Sequence, residues 1–241
     1  MSQAAFGRCM RAHDRQMTQA LGNEDLLGPR RTRIKICGIT RPEDGRLVGV
    51  LGGDAIGLVF HPPSPRSVDP EQARAIVASL PPFVTVVGLV VDAKQEFIRR
   101  FLRAVRIDVL QFHGKEEPAT CARFGLPYIK AVAMRNGIDV VAYAERYASA
   151  HALLLDAFES GREGGTGKTF DWSLIPPGFR TRVILAGGLT PANAAQAVVQ
   201  VRPFAVDVSS GVESSQGKKD HSKLVEFFRS VHCADSSEST G

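Results

Sequence analysis

Cys37 closes the apolar run Arg33-Ile34-Lys35-Ile36-Cys37, and Gly38 lets the backbone turn away behind it. A thiol at the carboxyl end of a buried strand faces the place where many α/β folds keep their chemistry. Free cysteines are also among the most buried residues, so the meaning of Cys37 depends on what else reaches the same place. Asp156 ends a second apolar run, Leu153-Leu154-Leu155, where an unpaired carboxylate would be costly. It is either a protonated acid ready to donate or an ion-pair member that merely closes the core. Arg66 stands on the stiff loop Pro62-Pro63-Ser64-Pro65-Arg66-Ser67, as a surface charge or as a fork for a carboxylate. Three clusters of small residues, Gly164–Lys168, Ala186-Gly187-Gly188 and Ser209-Ser210-Gly211, can turn backbone N–H groups toward a phosphate.

These groups need elements that bring them together. Between Arg33 and His232 a strand-helix rhythm repeats eight times. The predicted strands are Ile34–Cys37, Ala55–Phe60, Val84–Val91, Ile107–Phe112, Tyr128–Val132, Leu153–Asp156, Val183–Ala186 and Ala205–Val208. Several are continuously apolar, the signature of strands covered on both faces in a parallel sheet. Ala73, Ile76, Val77 and Leu80 recur at helical spacing, as do Phe97, Ile98, Phe101, Leu102 and Val105, and again Leu224, Val225, Phe228 and Val231. Pro42 falls in the first turn of the first helix, and Thr190-Pro191 predicts an N-cap and first helical residue for the seventh. The sixth helix is the weakest, a turn around Asp171–Ile175. The fold class is α/β, a single (β/α)8 TIM barrel; a doubly wound open sheet would want GxGxxG after its first strand, which is absent. In a barrel the active site occupies the carboxyl strand ends, and a phosphate often sits between the loops after strands seven and eight. Cys37, Asp92, Gln111, His113, Asp156, Gly187, Gly188 and the Asp207–Glu213 segment all fall at such ends.

The 241 residues are 44% hydrophobic and 23% charged, enough for a sizeable core. A net charge of +5 comes without a basic run or aromatic interleaving, which disfavours nucleic acid and suits a small anionic substrate. The four cysteines, Cys9, Cys37, Cys121 and Cys233, form no CxxC pair, so a disulfide framework or zinc site is not expected and a reducing cytoplasm is. No apolar run approaches the roughly 18 residues of a membrane span. Residues 1–31 lack the apolar core of a secretory signal, and Asp14, Glu24 and Asp25 weaken an organelle transit peptide. They read as a poorly ordered extension or an upstream start, since Met10 and Met17 follow. The barrel is then expected over 32–232, with a disordered tail at 233–241.

Taken together, Lys35-Ile36-Cys37-Gly38-Ile39-Thr40, Ser64-Pro65-Arg66, Gln111-Phe112-His113-Gly114, Gly164-Gly165-Thr166-Gly167, Asp171-Trp172, the segment Ala186–Asn193 and the segment Asp207–Glu213 resemble the phosphoribosylanthranilate isomerases of tryptophan biosynthesis. The likeness spans roughly residues 33–231. Phe112 stands where leucine is expected and the first helix is glycine-rich, but no residue needed for the chemistry is missing. The resemblance implies an Amadori rearrangement of N-(5-phosphoribosyl)anthranilate to 1-(2-carboxyphenylamino)-1-deoxyribulose 5-phosphate. It makes Cys37 the general base and Asp156 the general acid, gives Arg66 the anthranilate carboxylate and Asp207 the sugar hydroxyls. The backbones of Gly188, Ser210 and Gly211 then hold the phosphate, while Gln111 and His113 shape the site. No metal or organic cofactor is required, because the substrate is its own electron sink. A monomer and a homodimer are both compatible with the resemblance. The histidine-pathway isomerase, which runs the same rearrangement, resembles this chain less because it carries an aspartate in place of Cys37. A non-catalytic phosphate-ligand barrel with Cys37 as a redox sensor is a second possible function, and a nucleic-acid binder a more distant third.

Overall fold

The computed structural model describes residues 31–135, 137–157, 169–176, 179 and 183–238. The Gly164–Lys168 cluster and the N-terminal extension as far as residue 30 lie outside them. Eight parallel strands close into a barrel in chain order: β1 (Arg33–Cys37), β2 (Ala55–Val59), β3 (Thr85–Val90), β4 (Val109–Phe112), β5 (Tyr128–Met134), β6 (Ala152–Ala157), β7 (Val183–Leu185) and β8 (Ala205–Val208). Between and after them run α1 (Pro42–Val50), α2 (Pro70–Ser79), α3 (Gln95–Ala104), α4 (Pro118–Cys121), α5 (Val140–Arg146), α6 (Ala194–Val201) and α7 (His221–Glu238). The sixth connection carries, among described residues, a 3₁₀ turn at Trp172–Leu174, capped by the Asp171 carboxylate. A small antiparallel pair, β9 (Glu213–Ser215) and β10 (Lys218–Lys219), follows β8.

The pleat sorts every strand into two faces. Ile34, Ile36, Ile56, Leu58, Leu153, Leu155, Val206 and Val208 point outward and pack under the helices. Val87, Ile129, Ala131, Ala152, Leu154, Ile184 and Ala205 fill the barrel with the alternate residues. The same inward parity carries Lys35, Cys37, Gln111, Asp156 and Asp207, so the polar residues of the interior gather toward its carboxyl end.

Two boundaries differ from expectation. Helix α6 starts at Ala194 rather than at Pro191, because Asn193 bends the chain first: its Oδ1 accepts from the Thr190 N–H (2.8 Å) and its Nδ2 donates to the Gly188 carbonyl (3.0 Å). Residues 233–238 are not a disordered tail but the last turns of α7. Ala234 is buried there, and the Asp235 carboxylate accepts from the Thr32 backbone N–H (2.8 Å) and hydroxyl (2.7 Å), clamping the helix to the entrance of β1.

Candidate active site

Cys37 is the last residue of β1 and is buried. Its neighbour across the β1–β2 ladder is Gly57, and this glycine makes room for the thiol. A Cβ there would stand 2.8 Å from the Cys37 Sγ and 3.2 Å from the Lys35 Nζ. Gly38 has φ of +71°, which only glycine adopts freely, and the Arg66 side chain crosses directly over it. The Lys35 ammonium and the Asp207 carboxylate form a buried ion pair at 2.9 Å, made possible by the β1–β8 register that sets the two residues opposite each other. Asp207 Oδ2 takes that bond, while Oδ1 is buried without a protein partner among the described residues. Burial pushes the Asp207 carboxyl up, Lys35 pulls against the rise, and Asp156 adds to it.

On the facing wall, Gln111, His113 and Asp156 make a chain: Gln111 Nε2 to His113 Nδ1 at 3.1 Å, and His113 Nε2 to Asp156 Oδ2 at 3.1 Å. Gln111 is fully buried and its Oε1 has no partner among the described residues, while His113 and Asp156 open toward the barrel mouth. If the amide nitrogen donates to Nδ1, the imidazole proton must sit on Nε2 and point at an ionised Asp156. With the amide turned over, Oε1 accepts from Nδ1–H and leaves Nε2 free to accept from a protonated Asp156. The same three side chains therefore serve both protonation states of the carboxyl.

Arg66 is bidentate to Glu213, Nε to Oε1 at 2.8 Å and Nη2 to Oε2 at 2.7 Å. Lys219 also binds Glu213 (2.9 Å) and the Ser209 carbonyl (3.1 Å), tying the loop after β8 to β10. One edge of the guanidinium is thus committed and its outer edge, toward Nη1, remains as a fork for a ligand carboxylate. The loops after β7 and β8 meet at Gly211, where a Cβ would collide with the Leu189 carbonyl. Gly188 has φ of +68° in the first loop, and Ser210–Val212 forms a 3₁₀ turn in the second. The N–H groups that open such a turn have no partner within it, which suits an anion.

Asp92, at the end of β3, is taken up by structure: its Oδ1 accepts from the Lys115 N–H (2.6 Å). Sequence reasoning assigns no role to Lys35, Asn193, Glu213 or Lys219, all of which shape the site. For Lys35 a signal is readable, since it shares the inward parity of Cys37. No helix among the described residues is long and apolar enough to cross a membrane.

A closed parallel barrel with a thiol, a carboxyl and small-residue loops at its carboxyl end is the frame on which (β/α)8 enzymes build their sites. A family model for N-(5'-phosphoribosyl)anthranilate isomerase matches residues 34–230, and the chain belongs to that family. The N-(5'-phosphoribosyl)anthranilate isomerase of Nitrosococcus oceani is 58% identical over 201 residues, 83% of this chain and 98% of that protein. The crystal structure of phosphoribosyl anthranilate isomerase from Thermotoga maritima has a TM-score of 0.77 at 43% identity, covering 84% of this chain and 99% of that one. Another such crystal structure, in complex with reduced 1-(o-carboxyphenylamino)-1-deoxyribulose 5-phosphate, has a TM-score of 0.74 at 41% identity, over 84% of this chain and 99% of its own.

Proposed function

We infer that this chain catalyses the Amadori rearrangement of N-(5'-phosphoribosyl)anthranilate in tryptophan biosynthesis, with Asp156 as general acid and Cys37 as general base. Protonated Asp156 delivers its proton to the furanose ring oxygen while the anthranilate nitrogen expels it, opening the ring to a Schiff base. The Cys37 thiolate then removes the proton from C2, and the electron pair neutralises the iminium to give an enolamine. Tautomerisation yields the ketone, and a proton returned from the thiol to the carboxylate through solvent resets the pair. Burial pushes the Cys37 thiol up, with Lys35 opposing, so the reactive thiolate is a form the site must stabilise.

The outer edge of Arg66 receives the anthranilate carboxylate, and the orphaned Asp207 Oδ1 accepts from a sugar hydroxyl. The amides of Gly188, Ser210 and Gly211 take the phosphate. A cytoplasmic location agrees with cysteines that form no paired motif. The observation that carries this reading is the shared inward parity of Cys37 and Asp156 at one end of a single barrel. Cys37→Ala and Asp156→Asn should each lower turnover of N-(5'-phosphoribosyl)anthranilate by at least about 10²-fold while a product analogue still binds. Wild-type turnover in either variant would refute the assignment.

A further inference from the structure

Lys35 has no part in the chemistry derived so far, yet it lies in the middle of it. It precedes Cys37 by two residues on β1, so the pleat points both side chains the same way. Its ammonium is 4% exposed, inside a barrel filled mainly with aliphatic residues. Burying an ammonium is costly, and an apolar pair of the same volume would hold a barrel together at least as well. Stability therefore gives no reason for a lysine here.

Its two partners do. One is Asp207, at 2.9 Å. The other is sulfur: a Cβ on Gly57 would meet the Cys37 Sγ at 2.8 Å and the Lys35 Nζ at 3.2 Å, so the two atoms lie within about 6 Å of each other in the space that glycine leaves, close enough for an ammonium to favour a thiolate. Three other charges also face the sulfur: Lys219 from β10, Arg66 from the loop after β2, and Asp207 from β8. Lys219 and Arg66 are both engaged by Glu213, and His113 and Asp156 face Asp207 from the opposite wall. Lys35 is the cation that shares the sulfur's strand and the space beside Gly57.

We propose that Lys35 is the counter-ion of the Cys37 thiolate, and that Asp207 keeps it cationic through both halves of the proton cycle. This rests on the reading of Cys37 as the base. When the S–H bond breaks and its electron pair stays on sulfur, the new negative charge faces the Lys35 ammonium across the gap beside Gly57. When the thiolate takes the C2 proton that partner is lost, but the Asp207 carboxylate remains in contact and the ammonium keeps its proton. Burial alone would lower the lysine; Asp207 and Cys37 more than offset it. Lys35 acts through Cys37 and is a positioning residue.

The test is a pH titration of thiolate ultraviolet absorbance on the full chain, read as the difference between each protein and its Cys37→Ala counterpart. In Lys35→Met the midpoint should rise by about 1–3 pH units, and the acid limb of kcat/KM should move with it. Lys35→Arg keeps the charge and should restore most of the shift. A midpoint unmoved in Lys35→Met, whatever happens to kcat/KM, would overturn the proposal. Should that variant not fold, Lys35→Gln removes the charge, keeps a hydrogen-bond donor for Asp207 and faces the same criterion. The titration needs no turnover, so an inactive wild-type chain would sink the isomerase reading and leave the Lys35 result standing.

Discussion

The sharpest perturbation available at this site is a single methyl group, Gly57→Ala. Its Cβ would stand 2.8 Å from the Cys37 Sγ, 3.1 Å from the Cys37 Cα and 3.2 Å from the Lys35 Nζ. The sulfur and the ammonium can rotate away, but the Cα belongs to a strand held in register against β2. The ladder must therefore open locally while the thiol leaves its place. Overpacking of this kind costs about 1–3 kcal/mol, and for a domain of this size each kcal/mol is roughly 2–4 °C in Tm. Displacing a reacting atom by about 1 Å costs on the order of 10²-fold in rate. The expected result is a Tm lowered by roughly 2–12 °C together with a kcat/KM that falls about 10²-fold per folded molecule. Gly53→Ala is the control: its Cβ would meet the Val48 side chain at 2.5 Å and the Phe228 ring at 3.1 Å, away from the thiol. That variant should lose comparable stability and keep its turnover, measured by circular dichroism melting and by the isomerase assay on the same preparations. If Gly57→Ala turned over substrate normally, or if Gly53→Ala were equally slow, the packing argument for Cys37 would be wrong.

Two further variants, Glu213→Gln and Gln111→Met, test the networks around these groups. Burial alone would push the Glu213 carboxyl up, but Arg66 and Lys219 hold it below its ordinary value. An unfolded glutamate titrates near about 4.3, so below that point the unfolded chain binds a proton that the folded one refuses. Stability linked to Glu213 is complete above the unfolded value and is lost as pH falls through the folded one. Between about pH 5 and pH 3 the urea midpoint should drop more steeply in the wild type than in Glu213→Gln; parallel curves would show that the pair carries no such linkage. At neutral pH the same variant should be about 3 kcal/mol less stable, because it strands two cations. For Gln111→Met, His113 loses the partner of its Nδ1, a loss worth about 1–3 kcal/mol. Expressed in the transition state this is roughly 10- to 100-fold in kcat with KM little changed; a variant altered only in KM would place Gln111 in binding rather than in the control of Asp156.

Much of this architecture is legible in one dimension, and the limit is a physical one. Continuous apolar runs mark parallel strands because both faces are covered, and the eight predicted strands match the observed ones to within two residues at either end. Parity is equally local, so Cys37 and Asp156 can be assigned to the interior from the alternation around them. Partnership is not local. Arg66 reaches Glu213 across 147 positions and Lys35 reaches Asp207 across 172, and both contacts exist only once β8 has closed against β1 in a particular register. A shift of that closing register by two residues would preserve every inward side chain and still separate Lys35 from Asp207. Helix α6 shows the same limit at short range: Thr190-Pro191 is a fair start signal, but Asn193 spends its side chain on Thr190 and Gly188, so the loop after β7 is ordered first and the helix begins after it. Closure therefore supplies what periodicity cannot, a choice of partner for each buried charge. In this barrel the charges so chosen surround the sulfur, which is why the ion pairs tell more about reactivity than about what holds the fold together.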